Sequence, residues 1–191
     1  MNAKKINNNF EPYKRVVKFA GSAIIVLLEL AAYYYVWMNY YNRNMTVAFW
    51  RRGNWLIAGE YLILSLVLHR LYGGLKVGIY KYWALVYSHM LSIVGVNAFS
   101  YVQVVLFDKK MHNPAALLGL TALDFVMVLL WALAFKKIYA AMFPKRRLLL
   151  IYGKKPMFHL VNRIDTRDDK YEIAENIWID TGLERIIKQA E

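Results

Sequence analysis

Three carboxylates stand where a carboxylate is costly. Glu29, Glu60 and Asp124 each interrupt a long apolar run, and a charge at the centre of a membrane-spanning helix costs roughly 2.5–3.5 kcal/mol on insertion scales. Such a residue serves a proton or ion path, or meets the headgroup of a lipid phosphate carrier. Alternatively it stays protonated or hydrogen-bonded and holds helices together, or lies near an interface. No Lys or Arg falls at mid-depth in these runs as a partner, which favours the structural role. Ser88, Ser92, Asn97 and Gln103 in the third run are expected to act as packing contacts between helices. His69, His89, His112 and His159 are scattered and fit no ligand spacing such as His-Glu-x-x-His, so no metal is expected. Asp165, Asp168 and Asp169 read as a solvated turn rather than a catalytic pair. With no cysteine, the chain has neither disulfides nor thiolate sites. No catalytic residue is assigned.

A second group of candidates is basic. Lys145, Arg146, Arg147, Lys154 and Lys155 flank a short apolar stretch in "KRRLLLIYGKKP". This basic cluster is a candidate for binding a nucleotide-sugar diphosphate, with Gly153, Lys154 and Lys155 as the candidate cofactor-binding residues. The same charges are also accounted for by orientation and by contact with anionic lipid. "YGKKP" has one glycine and a proline, whereas close approach of backbone to a pyrophosphate uses several glycines.

The elements that position these residues follow from hydropathy and charge. The chain has 191 residues, 59% of them hydrophobic and 20% charged, with a net charge of +12. Residues 1–143 hold fifteen Lys/Arg against five acids, and 144–191 hold ten against eight. The basic excess therefore lies between apolar runs, which points to a membrane surface and away from nucleic acid. Four runs are legible: Phe19 to Trp37, Trp55 to Leu68 (reaching Tyr72 if His69 and Arg70 snorkel), Tyr82 to Phe107, and Pro114 to Phe135. About 20 apolar residues cross the hydrocarbon, and the second run is the shortest. Asn113 and Pro114 make an N-cap and first helical position for the fourth. Tyr and Trp crowd the run ends, as interfacial anchors do. The N-terminus carries no cleavable signal pattern.

An even number of spans puts both termini on one side. Fifteen Lys/Arg then fall on that side (Lys4 to Lys18, Arg70 to Lys81, and Lys136 to Lys155) and five on the other (Arg43, Arg51, Arg52, Lys109, Lys110). The positive-inside bias makes the first side cytoplasmic. The expected organisation is a cytoplasmic segment 1–18, a four-span bundle 19–143 and a cytoplasmic region 144–191.

That last region reads strand, helix, strand, helix. Leu148 to Ile151 form a strand closed by Gly153. Met157, Leu160, Val161 and Ile164 have helical spacing. A second strand lies around Glu172 to Ile179, and Thr181 caps a final helix. This βαβα order is the start of a doubly wound, Rossmann-like α/β domain. Two strands cannot bury both faces of a sheet, so a truncated domain is expected, marginal unless it meets the membrane, another copy or its missing half.

Four spans, a basic junction, "RRLLLIYG" and then "RDDKYEI" resemble the N-terminal region of bacterial polyprenyl-phosphate sugar-1-phosphate transferases. The resemblance covers the whole chain in layout, with its specific matches at about residues 145–175. It implies a membrane all-α four-helix bundle followed by the start of a Rossmann-like cytoplasmic domain, in the bacterial inner membrane. It further implies service to transfer of sugar-1-phosphate from a UDP-sugar to undecaprenyl phosphate, in capsule or exopolysaccharide synthesis. Magnesium belongs to a catalytic domain that this chain lacks. The implied partners are the bilayer, undecaprenyl phosphate, and the catalytic domain or further copies. The alternative is an independent four-span protein, a small transporter or an assembly subunit.

Overall fold

The computed structural model describes residues 11–143, 146–152 and 171–178. Four of its helices are long and apolar enough to cross a membrane. They are α1 (Lys14–Val36), α2 (Arg51–Tyr72), α3 (Tyr82–Asp108) and α4 (Ala115–Met142). The first span does not stop at Val36: a π-helical turn, Trp37–Tyr41, and a last α-turn, Asn42–Asn44, extend it to Asn44. Each helix outruns its apolar run, because helical backbone satisfies its own polar groups and polar side chains at the ends reach water.

Each helix buries a stripe at three- and four-residue spacing. On α1 it runs Ser22, Ile25, Val26, Glu29 and Tyr33; on α2, Asn54, Ile57, Ala58, Tyr61, Ser65 and His69. On α3 it includes His89, Ser92, Val96, Asn97 and Ser100; on α4, Leu117, Leu120, Asp124, Val128 and Ala132. The outward faces carry Ile24, Leu27, Ile63, Leu91, Val102, Leu123 and Leu130, all exposed. Polar groups inside and large apolar side chains outside invert the order of a water-soluble bundle. That order suits lipid, where helices associate through packing and hydrogen bonds rather than through burial of oily surface.

The connections pin the helix ends. Gly73, at φ +87°, ends α2 in the left-handed region that glycine enters without strain. The Ser22 hydroxyl of α1 donates to the Leu75 carbonyl (3.1 Å), tying α1 to the 73–81 loop. At the opposite end Thr46 N–H donates to Asp108 Oδ1 (2.8 Å), Lys110 Nζ to Thr46 Oγ1 (3.0 Å), and Asp108 Oδ2 pairs with His112 Nε2 (2.8 Å). Ala115 N–H donates to Asn113 Oδ1 (2.9 Å), so Asn113 caps α4 with Pro114 inside the first turn. In the π-helical turn, buried Trp37 donates its indole N–H to Asn54 Oδ1 of α2 (2.9 Å).

In the region after the bundle, β1 (Arg146–Tyr152) and β2 (Tyr171–Trp178) pair in parallel. The register runs from Arg146 opposite Tyr171 to Tyr152 opposite Trp178, with one irregularity between Leu148 and Leu149. A parallel pair needs a crossover of about a dozen residues or more, a length that 153–170 supplies. Gly153, Lys154, Lys155, the Asp165 to Asp169 turn, and both helices of the expected βαβα order lie outside the described residues.

Candidate functional site

The interior of the helical unit holds a connected set of polar side chains, and its densest part is built by three helices. From α1, Glu29 projects into the core and is 1% exposed; His69 of α2 and His89 of α3 are both fully buried. Glu29 sits one turn beyond Ile25 and one before Tyr33 on the buried stripe, so helical spacing alone aims it inward. His69 lies one turn after Ser65 at the end of α2, and His89 one turn before Ser92 and Ile93 near the start of α3.

The three functional groups converge. His69 Nε2 lies 2.9 Å from His89 Nδ1 and 3.4 Å from Glu29 Oε2, and His89 Nδ1 lies 3.5 Å from Glu29 Oε1. The far nitrogen of His69, Nδ1, lies 2.8 Å from the Ser65 carbonyl. A carbonyl only accepts, so Nδ1 carries a proton, and in the neutral ring Nε2 turns a lone pair to the centre. Gly74 closes the site from the 73–81 loop: a Cβ there would stand 2.8 Å from His69 Cδ2 and 3.5 Å from His89 Cδ2. Trp131 of α4 lies against His89, with ring centroids 5.4 Å apart. Glu29 Oε1 is buried without a hydrogen-bond partner, and His89 also interacts with the Gly74 backbone.

Asp124 anchors the next polar set. It is fully buried, within electrostatic reach of Glu29, and its Oδ2 accepts from Asn97 Nδ2 (3.3 Å). The same amide donates to Thr121 Oγ1 (3.0 Å), while Tyr61 OH donates to Asn97 Oδ1 (3.1 Å). Asn97 thereby joins α2, α3 and α4. Tyr61 also stacks on Tyr33 of α1, with centroids 3.9 Å apart. Glu60 accepts a hydrogen bond from Gln103 across α2 and α3.

The sequence-derived candidates thus divide. Glu60 and Asp124 hold helices together through amide partners, as does Asn97. Among the described residues, the Ser88 and Ser92 hydroxyls bond the carbonyl one turn back in α3 (2.8 Å each). The view of the histidines as scattered needs correction. They are remote along the chain, but the antiparallel run of α2 and α3 around the 73–81 loop brings His69 and His89 together. His112 belongs to the other end, with Asp108. His159 lies outside the described residues. Two imidazoles and a carboxylate in one buried spot can share a proton or hold a cation, and no Lys or Arg is paired with Glu29 or Asp124 among the described residues.

No family model, curated protein or solved structure matches this chain.

Proposed function

We propose that the chain is a multi-pass protein of the bacterial inner membrane whose four-span bundle anchors a cytoplasmic α/β segment. It serves, as an anchoring and regulatory part, the transfer of sugar-1-phosphate from a UDP-sugar to undecaprenyl phosphate. The observation that carries this reading is the parallel pair β1 and β2, which follows the last apolar helix directly through a basic junction. Parallel strands are the mark of α/β domains with helical crossovers, the layout that the sequence resemblance implies. The positive-inside bias places the junction on the cytoplasmic side, where nucleotide sugars are found. Phosphoryl transfer uses a cradle of metal and fixed cations; the resemblance implies that a catalytic partner supplies it, together with the magnesium.

Native mass spectrometry of the detergent-purified chain tests this. Undecaprenyl phosphate should stay bound under conditions that strip phosphatidylglycerol, and the chain alone with UDP-sugars and magnesium should release no UMP. Equal retention of the two lipids would remove the carrier-lipid reading, and magnesium-dependent UMP release would make the chain itself a transferase.

The buried Glu29, His69, His89 and Asp124 favour a second reading, a small transporter that moves protons or cations. Proteoliposomes carrying a pH-sensitive dye separate the two. Flux abolished by Asp124→Asn supports transport, and flux equal to that of empty liposomes supports anchoring.

A further inference from the structure

We infer that Glu29, His69 and His89 form a binding site for one divalent transition-metal ion, of the zinc class, in the core of the bundle. The inference stands on the geometry of the bundle and is independent of the transferase reading.

Glu29, His69 and His89 each offer a donor atom, and these atoms lie within 4.8 Å of one another. His69 commits its Nδ1 proton to the Ser65 carbonyl at 2.8 Å, so in the neutral ring, the form that binds a metal, Nε2 is an inward lone pair. Fixing a ligand histidine through its other ring nitrogen in this way is the usual outer support of a metal site. His89 directs Nδ1 toward His69 and Glu29 and turns Nε2 away from them; Glu29 supplies the negative charge. A single proton bridges the two imidazoles across 2.9 Å but leaves Glu29 at 3.4 and 3.5 Å, outside good hydrogen-bond range, with Oε1 buried and unpartnered. A cation at the centre satisfies all three at once. A tetrahedral ion about 2.1 Å from each donor holds its ligands about 3.4 Å apart. The two carboxylate–imidazole separations already have that length, but each is made by a different oxygen, Oε2 to His69 and Oε1 to His89; binding therefore turns the carboxylate toward the ion and opens the imidazole pair by about half an ångström.

Charge and ligand type narrow the ion. Glu29 and the neighbouring buried Asp124 carry two negative charges between them when ionised, which a divalent cation cancels in a medium of low dielectric. Two imidazole nitrogens and one carboxylate suit Zn2+ or Co2+; Mg2+ and Ca2+ prefer all-oxygen shells, and Cu+ prefers sulfur. Three protein ligands leave the fourth position to a water or another oxygen ligand, as in open His2Glu sites. The close backbone of Gly74 and the Trp131 ring shield the ion.

The test uses the full chain in detergent, with any affinity tag removed, stripped by chelator and titrated with Co2+. The wild type should bind one Co2+ and show the intense visible bands of four-coordinate cobalt, displaced by Zn2+. Glu29→Gln, His69→Ala and His89→Ala should each weaken binding about a hundredfold or more. His112→Ala, at the far end of the bundle, should bind as the wild type does. Should the alanine variants fail to fold, His89→Cys keeps the measurement: a thiolate ligand adds a sulfur-to-cobalt charge-transfer band. Absence of binding by the wild type, six-coordinate cobalt only, equal binding by Glu29→Gln, or a folded His89→Cys variant without the sulfur band would each overturn the assignment.

Discussion

Asn97→Ala tests how the spans hold together. Asn97 accepts from Tyr61 OH (3.1 Å) and donates to Thr121 Oγ1 (3.0 Å) and Asp124 Oδ2 (3.3 Å), so the substitution removes three side-chain hydrogen bonds linking three helices. Interhelical bonds in membranes average about 0.6 kcal/mol each, which gives roughly 2 kcal/mol. The Tyr61 hydroxyl and the Asp124 carboxyl are left buried with fewer partners, and a stranded polar group costs about 1–3 kcal/mol. Part of that cost is offset because these groups also find partners in the unfolded, membrane-embedded chain, so the expected loss is about 2–4 kcal/mol. The lower bound is roughly thirtyfold in the unfolding equilibrium constant. Reversible unfolding in mixed micelles of dodecyl maltoside and dodecyl sulfate, followed by circular dichroism, measures it. Asn39→Ala is the control: Asn39 is exposed and bonds the Tyr35 carbonyl one turn back (2.9 Å). Equal midpoints for the two variants would refute the view that Asn97 joins the helices.

Three further perturbations have defined outcomes. At Gly21 of α1 a Cβ would stand 2.9 and 3.0 Å from ring carbons of Phe135, so Gly21→Leu should cost about 1–3 kcal/mol in the same assay, with partial recovery on adding Phe135→Ala. Gly73→Ala places a side chain at φ +87° and 2.8 Å from the Tyr80 ring, and should lower stability by about 1–2 kcal/mol. Reporter fusions after residues 45 and 110 should read the outer side and those after 75 and 150 the inner side; an inner signal at 110 would reverse the topology.

Hydropathy made the four spans legible because a helix in lipid is announced by its outward side chains, such as Leu27, Ile63 and Leu130. Asn113 and Pro114 announced the start of α4 because capping is local chemistry. The second span looked too short because Arg51, Arg52, His69 and Arg70 sit within α2 itself, and helical backbone continues past the apolar core. The π-helical turn at Trp37–Tyr41 had no signal: Val36 to Tyr41 reads as ordinary helix, and the turn fits Trp37 and Tyr41 to partners on other segments, Asn54 and Asn113.

The intramembrane acids were visible as anomalies in apolar runs, but their partners were not. His69 and His89 belong to different helices, and Glu29 to a third, so no spacing along the chain encodes their meeting. A fainter signal was present. Ser65 and His69 share one face of α2, and His89, Ser92, Asn97 and Ser100 share one face of α3. Polar stripes of that period within apolar spans mark the inward faces, and reading them together would have placed both histidines in the core beside Glu29.

The convergence of α1, α2 and α3 on one buried point is most directly tested by cross-linking in native membranes. The chain has no cysteine of its own, so paired substitutions act alone. With His69→Cys and His89→Cys, Hg2+ or a short bis-maleimide should join the two helices, seen as fragments that stay linked after cleavage at a protease site placed in the 73–81 loop. His69→Cys with His112→Cys should give separate fragments, because His112 lies at the opposite end of the bundle beside Asp108. Efficient joining of the first pair and not the second is the result expected of the bundle described. Fragments that separate in the first pair, under reagents that label both cysteines, would contradict it.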